Sequence, residues 1–171
     1  IDLKDFFPSI SSKRIVRALR HLGLSHEIAE LISRLATIPT MKEGSDISIH
    51  ALPQGSPCSP ILSNMVCIDL DRRLSGLARR FRVDYTRYAD DFLVSSKYTF
   101  SFREVEKFIV DTLKSFGAPF TIKSEKTRYG SSAGSNWNLG VMLNKDNEIT
   151  VGHKKKRQFQ AMLASYIMDK K

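Results

Sequence analysis

Two short runs rich in aromatic and β-branched residues, Asp84–Tyr88 and Phe92–Ser96, are separated only by Ala89-Asp90-Asp91. That spacing admits a tight antiparallel hairpin and nothing longer, because a parallel pair needs a crossover of about a dozen residues. The same hairpin puts two adjacent carboxylates at its tip. They repel each other, so a fold gains nothing from the pair unless a cation sits there. By itself an Asp-Asp tip is also an ordinary turn, since Asp favours turns.

The rest of the chain supplies helices and further strands around this hairpin. Residues 1–10 read as a strand entering a loop at Pro8, after which Ser11 or Ser12 caps a helix bearing Ile15, Val16, Leu19 and Leu22, ended by Gly23. Ser25 caps a second helix with the stripe Ile28, Leu31, Ile32 and Leu35, stopping before Pro39. Residues 40–46 read as a turn, and Ile47–His50 alternates like a short strand. A loop at 53–57 then opens a long helix to about Phe81, striped by Ile61, Met65/Val66, Leu70, Leu74, Leu77 and Phe81. Ser101-Phe-Arg-Glu104 is a capping box, and Phe102, Val105, Ile109, Leu113 and Phe116 form a helical face ended by Gly117. Strands around 119–123, 137–143 and 148–151 follow, with Asn144–Asn147 as a hairpin turn, and His153 opens a basic final helix. This order gives an α+β fold with helices packed on one face of an antiparallel sheet.

Composition narrows the class of protein. The 171 residues are 42% hydrophobic and 26% charged, enough for a sizeable core and too apolar for wholesale disorder. No apolar run approaches the roughly 20 residues of a membrane helix, so no membrane partner is expected. Lys+Arg 27 against Asp+Glu 18 leaves a net charge of +9, which suits a polyanion partner and equally a merely basic surface. Cys58 and Cys67 belong to no Cys/His ligand pattern, so two idle thiols are expected. The chain opens Ile1-Asp2-Leu3 without Met, as a piece of a longer protein would.

Asp2 changes the meaning of the Asp-Asp tip. If the first strand lies beside the hairpin, Asp2, Asp90 and Asp91 converge at one sheet end. Three carboxylates without His or Cys are hard ligands suited to Mg²⁺. Such a set can hold two ions about 3.5–4 Å apart, which clamp both oxygens of an in-line phosphoryl displacement. Leu52-Pro-Gln-Gly-Ser-Pro-Cys-Ser-Pro60 adds a loop in which Gly55 permits close backbone approach, ahead of a helix N-terminus with free N–H groups. The alternative for that loop is an ordinary turn.

At these residues the chain resembles reverse transcriptases. Ile1–Ile10, Leu52–Asn64 and Tyr85–Phe92 look like motifs A, B and C of that family, in order. Ser124–Arg128 resembles the motif D region and Asn138-Leu-Gly140 the motif E turn. Leu-Pro-Gln-Gly-Ser-Pro-Cys-Ser-Pro and Tyr-Thr-Arg-Tyr-Ala-Asp-Asp look retron-like, although a retron enzyme usually has Val-Thr-Gly near Asn138-Leu-Gly140. The wider likeness takes in bacterial group II intron-type and phage-defence relatives.

The resemblance implies a polymerase palm over residues 1–151 with the beginning of a helical thumb at 152–171, the fingers missing. It implies RNA-directed DNA polymerase activity with two Mg²⁺ held by Asp2, Asp90 and Asp91. Leu3, Phe7, Gln54 and Gly55 match nucleotide-binding positions, with Phe7 the aromatic gate against a ribose 2′-OH or else a core aromatic. Lys126 matches the lysine that protonates leaving pyrophosphate, with Lys123 a rival. Lys154, Lys155, Lys156 and Arg157 would grip nucleic acid, ahead of Arg72, Arg73, Arg79, Arg80, Arg82 and Arg87. Implied partners are an RNA template, a DNA or RNA primer, dNTP and an associated noncoding RNA, in the bacterial cytoplasm. Two alternatives stay open: template-independent or protein-primed DNA synthesis, and a catalytically idle RNA-binding module.

Overall fold

A computed structural model describes residues 1–41, 48–130, 136–138, 141–143 and 148–168. The chain divides into two compact units, Ile1–Thr127 and Arg128–Lys171. The boundary expected at 151/152 therefore falls inside the second unit. The turn at 144–147, Leu139 and Gly140 of the Asn-Leu-Gly turn, most of the turn at 40–46, and the Leu77 side chain lie outside the described residues.

In the first unit, helices α1 (Ser12–His21) and α2 (His26–Ala36) lead into strands β1 (Ile38–Met41) and β2 (Ser48–Ala51). Helix α3 (Ser59–Phe81) precedes the hairpin β3 (Asp84–Tyr88) and β4 (Asp91–Ser95), and α4 (Phe102–Phe116) closes the unit's helical layer. Helix α3 is the spine. Its Leu62, Val66, Cys67, Leu70 and Leu74 are buried together with Ile15 and Leu19 of α1 and Val105, Ile109 and Leu113 of α4. Leu3, Phe6, Ile10, Phe92 and Phe120 complete the same core from the sheet side. At about 25 cal/mol per Å² of apolar surface removed from water, this one cluster dominates what holds the unit together.

Several expectations change. The stripe of α3 starts at Leu62 rather than Ile61, which is 60% exposed. Helix α2 buries Ala29 and Ser33, with Ile32 half-buried, while Ile28, Leu31 and Leu35 of the expected stripe face outward. The reason is close approach: α2 meets α1 through its small residues, and Ser33 Oγ donates 3.1 Å to the Ser12 carbonyl. Helix α2 stops before Pro39 as expected, but Thr40 and Met41 are strand rather than turn. Pro39 sits within β1, paired opposite His50 in a two-stranded sheet whose edges tolerate a missing N–H. The single sheet expected is three: β1–β2, β3–β4, and, in the second unit, β5 (Asn136–Asn138), β6 (Val141–Leu143) and β7 (Ile149–Thr150). The run expected as one strand over 137–143 is thus two, paired Asn138 with Val141. Helix α5 (Gly152–Met168) follows β7.

Ser11 stands at the N-cap of α1 without a side-chain cap bond, whereas the other two serine caps form. Ser25 Oγ accepts from Ile28 N, and Ser101 Oγ accepts from Glu104 N. Gly117 ends α4 at φ +69°, a left-handed conformation that glycine adopts without cost. Among the described residues no helix is long and apolar enough to cross a membrane. Cys58 is exposed and Cys67 buried, both free, and burial pushes the Cys67 thiol up to about 12, so it stays protonated.

Candidate active site

Residues 1–3 run between β4 and residues 121–123. The Ile1 amino nitrogen donates to the Phe92 carbonyl at 3.0 Å, and Phe92 N returns a bond to the Ile1 carbonyl at 2.7 Å. Leu3 N donates to the Asp90 carbonyl at 3.0 Å. On the other edge, Lys123 N donates to the Asp2 carbonyl and Lys4 N to the Thr121 carbonyl, both at 2.8 Å. Asp2 is thereby bridged to Asp91 and Leu3 to Ile122, antiparallel in each case.

This register decides which side chains share a face. Directly opposed residues of an antiparallel pair project to the same side. Asp91, Asp2 and Lys123 therefore form a row across β4 and the two extended segments bridged beside it, while Leu3, Phe92 and Ile122 turn to the core side. The hairpin is one residue tighter than expected. Tyr88 pairs with Asp91, so Asp91 is the first residue of β4 and only Ala89 and Asp90 make the turn. Ala89 takes a positive φ of 50° there, the backbone twist that two-residue hairpins require.

The electrostatics follow the row. Two carboxylates face each other across the strand pair, which costs about 0.2–1 kcal/mol unless something compensates. Asp91 is held above the ordinary carboxylate range by partial burial, then by Asp2 and Asp90, with Lys126 pulling the other way. The Asp2 side chain is 13% exposed, with Lys123 Nζ 3.2 Å from Oδ1 and Lys126 Nζ 3.4 Å from Oδ2. Its hydrogen bond to Asp2 holds the Lys123 ammonium above the usual lysine value. Even so, Oδ1 of Asp2 is buried and accepts no hydrogen bond of good geometry. Among the described residues, no three Asp, Glu, His or Cys side chains stand as a ready-made ligand cluster. What suits a hard cation here is the donor chemistry: a buried carboxylate oxygen that accepts no well-formed hydrogen bond, balanced by the Lys123 ammonium at 3.2 Å, opposite a second carboxylate whose charge is penalised.

The other sequence-derived positions are placed as follows. Leu3 is fully buried and its N–H is spent on Asp90, so its contribution to the site is to fix that turn. Phe7 is half-buried in the turn after residue 3, tilted against Phe6 at 5.3 Å between ring centroids. Gln54 and Gly55 are exposed in the loop before α3, with Gly55 at φ +89°. No atom lies within 4 Å of a Cβ added at Gly55, so backbone conformation rather than space demands glycine. This loop is pinned by Ser59 Oγ donating to the Pro53 carbonyl at 2.7 Å and by Leu52 N donating to the Ile10 carbonyl at 3.1 Å. Lys154, Lys155, Lys156 and Arg157 lie exposed on α5, in the second unit.

Arg87 corrects the expected arginine track. Its side chain is 6% exposed and pairs with Asp71 of α3, Nε to Oδ1 at 2.8 Å and Nη2 to Oδ2 at 2.7 Å. Burial is the largest single influence and opposes the Arg87 charge, but the Asp71 hydrogen bonds together with the neighbouring Cys67, Asp71 and Tyr85 groups raise the pKa overall. The Tyr85 hydroxyl donates to Asp71 Oδ1 at 3.0 Å. Sequence reasoning missed this network, although Asp71 recurring one heptad after Asn64 on α3 was a readable signal.

Comparison with known proteins agrees with this arrangement. The family model described as reverse transcriptase (RNA-dependent DNA polymerase) matches residues 1–160. The chain is 34% identical over 171 residues to the retron Mx65 reverse transcriptase of Myxococcus xanthus, covering 95% of this chain and 39% of that protein. It is 43% identical over 103 residues to the retron Mx162 reverse transcriptase of the same organism, covering 56% and 21%. To the retron Ec86 reverse transcriptase of Escherichia coli it is 28% identical over 163 residues, covering 95% and 47%. The chain spans less than half the length of these relatives, and their retron type stands despite Asn138-Leu-Gly140. With its ordered motifs, its carboxylate row and a family match over most of its length, the chain belongs to the reverse transcriptase family, in its bacterial, retron-type branch.

Proposed function

We propose that this chain carries the palm of an RNA-directed DNA polymerase, with α5 beginning a thumb. The observation that carries the reading is the direct opposition of Asp2 and Asp91 across the sheet, beside Asp90. A protein that only bound RNA would gain nothing from keeping those charges together.

In this reading Asp2, Asp90 and Asp91 hold two Mg²⁺. Bound there, the ions would supply Lewis acidity that eases loss of the primer 3′-hydroxyl proton to solvent water and would neutralise the dNTP triphosphate. The 3′-oxygen bonds to the α-phosphorus as the bond to the bridging oxygen of pyrophosphate breaks. Lys126, already 3.4 Å from Asp2, gives the leaving pyrophosphate a proton, and Lys123 shares the compensation of charge. Phe7 walls off a ribose 2′-OH, because an apolar ring cannot satisfy that hydroxyl. Gln54 and Gly55 lie under the incoming nucleotide, with Leu3 fixing the turn beside it. Lys154, Lys155, Lys156 and Arg157 contact phosphates of an RNA template paired to a DNA or RNA primer. The retron relatives support an associated noncoding RNA as the natural template.

The test is primer extension by the full-length protein on a primed homopolymer RNA with Mg²⁺ and dNTP. Asp90→Asn or Asp2→Asn is expected to lower the rate by about 10²–10³-fold with the fold retained, as expected when charge-stabilising groups are lost. Undiminished synthesis in either variant would refute the reading, and product that ignores the template would favour untemplated synthesis.

A further inference from the structure

Around the turn that presents Asp90, the backbone is fixed from two sides. Leu3 N holds the Asp90 carbonyl, and Arg87 Nη1 donates 3.0 Å to the Ala89 carbonyl. The same Nη1 donates 3.1 Å to Asn64 Oδ1, while Nε and Nη2 grip both oxygens of Asp71. One guanidinium thus ties two turns of α3 to the residue preceding Asp90.

Three features argue that this bond set does more than stabilise. A buried ion pair contributes little net stability against a well-packed apolar alternative, so its geometry is the more telling property. Arg offers a rigid planar fork of five donors, and Lys offers a single point charge that cannot reach Asp71, Asn64 and Ala89 together. Ala89 also sits at φ +50°, which the two-residue turn requires and an L-residue holds at a cost, so the bond from Arg87 to its carbonyl falls on the strained residue of the turn. Such strain collects where a backbone must be aimed. Helix α3, to which the guanidinium is tied, opens with the pinned loop of Gln54 and Gly55.

We infer that Arg87 is a positioning residue: braced by Asp71 and Asn64, it holds the Ala89–Asp90 turn so that Asp90 and Asp91 meet a divalent cation together with Asp2. This inference rests on the polymerase reading and adds to it a residue that touches neither substrate nor cation.

The test uses the full-length protein and reads Mn²⁺ binding by electron paramagnetic resonance, beside the Mg²⁺ dependence of extension. Arg87→Lys is expected to weaken Mn²⁺ binding and raise the Mg²⁺ half-saturation by about tenfold, the usual scale for residues that orient ligands. Its KM for dNTP and its circular dichroism spectrum should be unchanged. Asn64→Ala, which removes one exposed acceptor and spares the ion pair, should shift both metal readouts by about threefold in the same direction. Mn²⁺ binding that is lost in Asp90→Asn but unaltered in Arg87→Lys and Asn64→Ala would overturn the inference and leave the polymerase reading standing. Absence of Asp90-dependent Mn²⁺ binding in the wild type would overturn both.

Discussion

Asp91 carries a charge that the fold penalises, and this separates its structural from its chemical role. Its pKa is raised by burial and by Asp2 and Asp90, so deprotonation works against the folded state. The Asp91 contribution is most favourable in acid and is lost as pH rises through the raised value. Replacing the carboxylate with a neutral isostere removes that penalty. Asp91→Asn is expected to stabilise the metal-free protein at pH 7 by about 0.2–1 kcal/mol, the scale of like charges opposed across strands. Calorimetry should show a small rise in Tm that vanishes near pH 3, while polymerase activity is lost. A fall in Tm would mean the carboxylate is satisfied by the fold itself. At this scale the meeting of Asp2 with Asp91 was legible, because an aspartate on a separate apolar segment can pair beside the hairpin. The grip of Lys123 on Asp2 was legible only as a rivalry between two lysines, since the sheet register that decides it joins segments about 120 residues apart.

Among the elements, α2 shows where periodicity misleads. Its four large apolar residues repeat at helical spacing, yet the helix packs through Ala29 and Ser33. A stripe states that a face is apolar. It does not state which face admits a neighbouring backbone closely, and small residues decide that. Ile28→Ser is therefore expected to change stability by no more than about 0.5 kcal/mol, the usual bound for exposed sites. Ser33→Leu should cost about 1–3 kcal/mol through overpacking against α1. Urea titrations of the two variants check the pair, and the reverse order would restore the expected stripe. The hairpin, α3 and α4 were legible as elements, because a short connection, a long 3.6 period and paired caps each constrain one element locally. The turn length and the start of the α3 stripe each shifted by one residue. β1 was not legible, since Thr40 and Met41 were read as the start of a turn and only pairing with β2 shows them as strand.

For the whole molecule, a net charge of +9 has to be divided between folding surface and nucleic-acid grip. Arg87 is consumed inside the first unit, whereas Lys154, Lys155, Lys156 and Arg157 remain exposed on α5. Each phosphate contact through that run should add about 0.7–0.9 to the slope of log K against log salt. Changing the three lysines to Gln is expected to flatten the slope for a primed RNA by about 2 and to leave dNTP KM unaltered. An unchanged slope would make the run plain solvated surface. The distribution of charge between units was beyond sequence reading, because composition counts charges without showing which are buried.

The most direct measurement is template-dependent extension by the full-length protein on a primed homopolymer RNA, beside Asp91→Ala. The expected result is Mg²⁺-dependent DNA complementary to the template in the wild type and none in the variant. Equal synthesis by both proteins would contradict the role given to the Asp2–Asp91 pair, and with it the polymerase site itself.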